Sequence, residues 1–460
     1  MLPVAARQRH CAGPSAVRAS GTTLVLITGA DPLRGKGGGS NLVRSHARAA
    51  HAGGFDVHIF CLSNRDEVIA TPYGHVHRVC TPFRPGGSLV WSHESKPASA
   101  WKNFMRWFLF STFAYPLQRP FLAGAIEKLL NDVRSPVIIQ GFWLWGIVAL
   151  EVAARRRRQN LPSAVAVCMY TTGAHELAGK IRGVAEGGPK GPLWWFYRLE
   201  QAWQYLFTRR GERRVCTEAD ALLFDYESSR RLITEAYGPC PNGHRIAACP
   251  ASAFDEVDFG ALKVRNSQEK PPSPLIVTVS RHDGRKGLEI LLRALAILKQ
   301  EHVSFRAKIG SGGELLEFHR HLATDLDLND RVEFTGWLED PNVLLAEGDL
   351  YVLPSLEEGS GSIALVEAMR AGLAIVASAV DGIPEAIVDG EEGCLVEPAN
   401  PRALATVLRD LIKDGPRRKT LGQAAAQAYR TRHSPEALTH DLTAVYTKLL
   451  STLTPVSVRS

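Results

Sequence analysis

"DLYVLPSLEEGSGSIALVEAMRAGLAIVASAV", Asp349 to Val380, decides how the C-terminal half of this chain folds. "DLYVLPS" enters as a short apolar strand, "LEEGSG" is a polar loop, "SIALVEAMRAG" has helical spacing that Gly372 can stop, and "LAIVASAV" is a second strand. Strand, loop, helix, strand is the repeating unit of a parallel sheet. In such a unit the loop at the C-terminal end of the first strand presents a helix N-terminus, whose unpaired N–H groups and positive dipole end suit a phosphate. Gly359, Ser360, Gly361 and Ser362 carry little or no side chain to block its approach.

The same rhythm extends in both directions. After the polar, Pro-rich "RNSQEKPPSP" (Arg265 to Pro274) come "LIVTVS", a helix from Leu288, "FRAKIGSGG" and "RVEFTGW". Before it, "TLVLITG", a Gly-rich "RGKGGGS", an amphipathic stretch and "FDVHIFCL" open the chain, and "SPVIIQGF", "SAVAVCMYT" and "ADALLFDYES" follow as further buried strands. The expected fold class is α/β, with two doubly wound, Rossmann-like domains facing a central crevice that holds the ligand. The expected boundaries are an N-terminal extension at 1–21, a first domain at 22–265, a linker at 266–274, a second domain at 275–432, and a C-terminal helix and tail at 433–460 that can pack back on the first domain.

Composition narrows the function. At 460 residues the chain exceeds what one core usually serves. Its longest apolar runs fall short of the roughly 18 residues that span a bilayer. The first 21 residues hold Arg7, Arg9 and Arg18, no acid and no apolar stretch of secretory type, so they are expected to be disordered or a targeting segment. The eight cysteines are scattered, with no paired or zinc-like spacing, and are read as free thiols in a reducing, cytoplasmic setting. Residues 1–270 carry 34 Lys+Arg against 21 Asp+Glu, net +13, and residues 271–460 carry 20 against 26, net −6. The basic half should therefore meet an anionic partner. No recognition-helix or zinc-finger pattern accompanies the charge, so nucleic acid is not expected.

"PSLEEGSGSIALVEAMRAG" with the following "AIVASAVDGIPEAIVDGEEGCLVEP", "SRHDGRKGLEILLRAL", "IGSGGEL" and "DRVEFTGWLED" resembles, in the same order, the nucleotide-sugar half of the retaining GT-B glycosyltransferases of family 4. The resemblance implies that Arg281 and Lys286 offset the charge of the donor diphosphate. It implies that Gly310 and Gly312 belong to the donor-domain Gly loop, that Gly336 lies on the strand beside the nucleoside base, that Gly359, Ser360, Gly361, Ser362 and Ile363 meet phosphate and sugar, and that Glu367 accepts from a ribose diol. The family separates its two glutamates by seven residues, whereas eight lie between Glu358 and Glu367 and nine between Glu357 and Glu367. Either Glu357 or Glu358 can then face the sugar, and Glu358 is favoured. Arg285 is read as an ordinary polar-loop residue. In the first half, Gly38 and Gly39 resemble the family's first Gly-rich loop, and His175 occupies a place where similar enzymes carry a histidine near the reacting carbon. "CPASAFD" replaces the family's usual "PNGVD", which leaves the acceptor open.

The expected activity is transfer of a hexose from a UDP- or GDP-linked sugar to a hydroxyl with retention, without metal or other cofactor. Two aromatic and basic stretches, Trp101 to Phe121 and Pro192 to Arg214, suggest docking on an anionic membrane at its cytoplasmic face and a lipid-linked sugar acceptor. A soluble acceptor, an epimerase or phosphorylase of the same fold, and a non-catalytic sugar-nucleotide-binding subunit are the alternatives.

Overall fold

A computed structural model describes residues 21–35, 38–81, 115–186, 192–255, 257, 259, 262 and 273–453. The stretch carrying Trp101 and Trp107, most of the linker, and residues 1–20 lie outside the described residues.

Among the described residues the first sheet has eight strands: β1 (Thr23–Ile27), β2 (Asp56–Ser63), β3 (Glu67–Thr71), β4 (Gly74–Cys80), β5 (Val137–Phe142), β6 (Ser163–Cys168), β7 (Ala221–Phe224) and β8 (Gly243–Arg245). They lie in the order β3-β4-β2-β1-β5-β6-β7-β8, parallel throughout except for the antiparallel β3–β4 hairpin. The second has six parallel strands: β9 (Leu275–Val279), β10 (Arg306–Gly310), β11 (Val332–Gly336), β12 (Leu350–Leu353), β13 (Ala374–Ser378) and β14 (Cys394–Val396), in the order β11-β10-β9-β12-β13-β14. β1, β5, β6, β7, β12 and β13 are buried along their whole length, which is why they read as unbroken apolar runs.

Each sheet reverses its winding once, between β1 and β5 and between β9 and β12. Loops leaving the two strands at a reversal point diverge to opposite faces and open a crevice at the strands' C-terminal ends. The loops after β9 and β12 are 280–287 and 354–362, the segments that the sequence marks for the donor.

The last described helix returns to the first domain. The Pro435–Leu453 helix inserts Leu438, Leu442, Val445, Tyr446 and Leu449 into the core formed by Leu24, Leu26, Ile59 and Ile138. Tyr446 donates its hydroxyl to Gln140 Oε1 at 2.5 Å, and Gln140 Nε2 lies 2.9 Å from His46 Nδ1. The helix just before it, Gly415–Arg432, packs Ala425 and Ala428 into the second domain.

Leu442 is wholly buried. Leu442→Ala should therefore cost about 2–5 kcal/mol through lost burial and an incompletely filled cavity. Urea unfolding followed by tryptophan fluorescence of Trp143 and Trp145, both in the first domain, measures it, and an unchanged midpoint would contradict the packing.

Candidate active site

The loop after β9 turns through a single 3₁₀ turn, Gly284–Lys286, and carries three cations. Lys286 Nζ lies 2.6 Å from Glu358 Oε2, and Ser355 donates to the other oxygen of the same carboxylate at 2.5 Å. Arg285 reaches Glu357 Oε2 at 3.2 Å, Glu176 at 3.5 Å and Asp283 at 3.7 Å. Arg281 pairs with Asp283 at 3.2 Å and approaches Glu176 at 3.9 Å. Arg285 is thus a buried centre of the network, not the ordinary loop residue expected of it. A polar-loop reading treats "HDGRKG" as solvated, and only the fold reveals that Arg285 lies beneath a helix of the other domain.

That helix is Gly173–Glu186, and it supplies His175 and Glu176 from its first turn. It lies close because two glycines face the donor loops. A Cβ on Gly179 would sit 2.6 Å from Glu357 Cβ, and one on Gly183 would sit 1.7 Å from the Gly284 carbonyl oxygen. His175 Nε2 then meets Glu357 Oε1 at 3.3 Å and Asp381 Oδ1 at 3.3 Å. Asp381, just past β13, also accepts from the backbone N–H of Glu358 at 2.7 Å and of Gly359 at 2.9 Å.

The two glutamates of the loop therefore divide. Glu358 turns back to Lys286 and Ser355, while Glu357 turns to His175 across the crevice. Glu358, the glutamate favoured from the sequence, thus pairs with the Lys286 cation, and Glu357 is the one of the two that meets His175. The backbone keeps the two carboxylates apart, because adjacent side chains leave an extended loop in opposite directions and the amides of Glu358 and Gly359 are pinned to Asp381.

The remaining positions line the same mouth. Gly310 and Gly336 end β10 and β11, the Gly336 carbonyl accepts from Ser311 at 2.7 Å, and the Gly312 carbonyl accepts from His282 at 3.0 Å. Ser362 caps the Ile363–Arg370 helix by accepting from Leu365 N at 3.4 Å, and Ile363 begins it. Gly361 has φ +136° and lies flat on Tyr226, where a Cβ would come within 2.4 Å of the ring. Ser360 lies on the same loop. Glu367 is buried and accepts from Ser252 Oγ at 3.1 Å, so "CPASAFD" brings this serine to the donor side. Gly38 and Gly39 open the Gly38–Ala52 helix beyond β1 in the first domain.

Electrostatics follow the burial. Burial opposes ionisation of Glu176, but Arg285, Lys180 and Arg281 outweigh it and hold the carboxyl at about 2. Burial lifts Glu357 to about 7 despite Arg285 and His175. Burial lifts Glu367 to about 7 as well, with Ser252 and Arg370 opposing. For His175 burial pulls downward, yet the hydrogen bond to Asp381 and the charge of Glu357 prevail and its pKa is raised. Asp381, Glu176, Asp283 and Ser252 were missed from sequence; of these only Asp381, placed directly after a strand end in "AVDGIP", carried a usable local signal.

Residues 262–428 match the family model of glycosyl transferases group 1. Among similar proteins is the GDP-mannose-dependent alpha-(1-6)-phosphatidylinositol monomannoside mannosyltransferase of Mycolicibacterium smegmatis, 29% identical over 244 residues, 51% of this chain and 62% of that protein. The amylovoran biosynthesis glycosyltransferase AmsK of Erwinia amylovora is 33% identical over 180 residues, 36% of this chain and 44% of that protein. The chain spans about half the length of the curated relatives it matches. Sucrose-phosphate synthase of Thermosynechococcus elongatus superposes with a TM-score of 0.67 at 20% identity, covering 94% of this chain and 100% of that one. Anabaena Alr3699/HepE, solved with UDP and glucose, gives 0.63 at 15% identity over 92% and 99%. The fold is GT-B.

A carboxyl raised to about 7 keeps a proton that the unfolded chain, near 4.5, has released. Its stabilising contribution is complete below about 4.5 and disappears as pH rises through about 7. Glu367→Gln cannot ionise, so its melting temperature relative to the parent should climb as pH rises through that window. Parallel profiles would contradict the burial of Glu367.

Proposed function

We propose that the chain is a retaining glycosyltransferase that moves a hexose from a nucleotide diphosphate sugar to a hydroxyl of a sugar-bearing, lipid-linked acceptor. The observation that carries this reading is the convergence, at the C-terminal ends of β9 and β12, of Arg281, Arg285 and Lys286 with Glu357 and Glu358 of the loop and with His175 and Glu176 of the opposite domain. Cations fixed beside a breaking sugar–phosphate bond stabilise the charge that grows on the leaving diphosphate, which lowers the barrier more than it tightens the ground state. In this reading Arg281 and Lys286 carry that charge, together with the N-terminus of the Ile363–Arg370 helix. Arg285 and Glu358 set the position of the loop and of Lys286. Glu357 holds sugar hydroxyls, His175 lies by the reacting carbon, and Glu367 exchanges Ser252 for the ribose diol. The acceptor proton leaves toward the departing diphosphate on the same face, so no protein nucleophile is required and no metal or other cofactor is assigned.

Both donor bases find support in the similar proteins: UDP in the Anabaena structure and GDP-mannose in the mycobacterial mannosyltransferase. The lipid acceptor is supported by the latter's phosphatidylinositol monomannoside and by the surface of the first domain. On the Pro192–Phe207 helix, Trp195, Leu199, Tyr205, Leu206 and Phe207 are exposed, and Arg198 packs over the Trp194 ring. Arg209, Arg210, Arg213 and Arg214 follow directly on the Arg209–Glu218 helix. Among the described residues no helix is long and apolar enough to cross a membrane. Apolar rings with arginines beside them suit seating at headgroup level, where each basic residue adds about 1 kcal/mol over an anionic surface.

Two measurements test the reading. Lys286→Ala should lower kcat by about 10²-fold or more, whereas Glu367→Ala should mainly weaken donor binding, by about 1.5–3 kcal/mol. Equal rate losses with unchanged donor affinity would refute the assignment. In vesicle flotation, the protein should bind anionic but not neutral lipid and release at high salt, and Trp195→Ala with Leu199→Ala should weaken that binding. Indifference to anionic vesicles at low salt would move the acceptor into solution.

A further inference from the structure

We propose that Asp56, His58 and His75 form a binding site for a divalent transition metal of the zinc class on the first sheet, with His77 holding the His58 ring. β2 and β4 are parallel neighbours, with His58 paired to His75 and Phe60 to His77. Residues two apart on a strand share a face, so Asp56, His58 and Phe60 project beside His75 and His77. The cluster sits at the N-terminal ends of these strands, the edge of the sheet remote from the crevice, because every site described above lies at strand C-terminal ends.

The donor atoms converge. His58 Nε2 lies 3.1 Å from Asp56 Oδ2, the His58 and His75 rings stack with centroids 5.4 Å apart, and ligand atoms of the three residues all lie within 4.8 Å of one another. Zinc bonds of about 2.0–2.2 Å place neighbouring ligands about 3.4 Å apart, so a modest turn of the exposed His75 ring completes the fit. Asp56 is also exposed, which leaves a path for the ion and room for water to fill the fourth position.

The other nitrogen of His58 supports the same reading. His58 Nδ1 lies 2.9 Å from His77 Nε2, and His77 is itself stacked on Phe60 at 4.4 Å with an interplanar angle of 7°. A metal on Nε2 leaves the His58 proton on Nδ1, where His77 accepts it. This is the outer hydrogen bond that fixes ring orientation and tautomer around bound metals. Two imidazoles and one carboxylate select zinc, copper or nickel over magnesium or calcium, which prefer oxygen ligands.

The test uses the tag-free full-length chain titrated with Co²⁺, whose visible d–d bands report tetrahedral nitrogen and oxygen ligation, followed by displacement with Zn²⁺. One Co²⁺ per chain should bind and be displaced, and Zn²⁺ should raise the melting temperature. His75→Ala should abolish the bands, and His440→Ala, at an exposed histidine beside Asp441 and outside the cluster, should leave them unchanged. His77→Ala should weaken binding about 10- to 100-fold, with His77→Gln, which keeps an acceptor, recovering part of the loss. Absence of bands in the parent chain, or bands that survive His75→Ala, would overturn the site whether or not each variant folds. Glycosyl transfer should be indifferent to these substitutions, so the outcome is separate from that of the crevice.

Discussion

Arg285 is a guanidinium that keeps its charge at any relevant pH, and it is buried. A buried charge persists only where partners replace the water it has lost. Those partners are Asp283 and Glu357 from the second domain and Glu176 from the first. The electrostatics of the donor loop are thus complete only with both domains in contact, and the rest of the crevice follows: the approach of the Gly173–Glu186 helix, the meeting of His175 with Glu357, and the strapping of Lys286 to Glu358. The cations that would meet a diphosphate are already neutralised by carboxylates.

Much of this architecture could be read from the residues because parallel strands buried on both faces leave unbroken apolar runs between Gly- and Ser-rich loops. The β3–β4 hairpin could not be read so, since "EVIAT" and "GHVHRVC" mix polar and apolar residues at a half-exposed edge. Around the site, Arg281, Lys286 and Glu367 stood out because they occupy strand ends or a helix turn with a local signature. Asp381 and Glu176 are brought in from distant points of the chain, and no local pattern specifies such meetings. The different partners of Glu357 and Glu358 were not legible either: the one-residue difference in loop length could pose the question, and it is the hydrogen bonds that Asp381 accepts from two successive amides that hold the two carboxylates apart.

The contact between Gly183 and Gly284 has a related meaning for specificity. Where two domains meet backbone to backbone, the width of the closed crevice is set by missing side chains, which leaves no rotamer to yield. Glu357 and His175 are consequently held at a fixed spacing across the crevice.

The return of the Pro435–Leu453 helix to the first sheet carries a consequence for how the molecule is made. Synthesis releases Leu24, Leu26 and Ile138 long before Leu442 and Tyr446, yet these residues share one core. The second domain can therefore close around its own sheet while the first still lacks a layer of its packing. On a ribosome, the half that emerges first is the half that is finished last, and its apolar face waits exposed until the final helix leaves the tunnel.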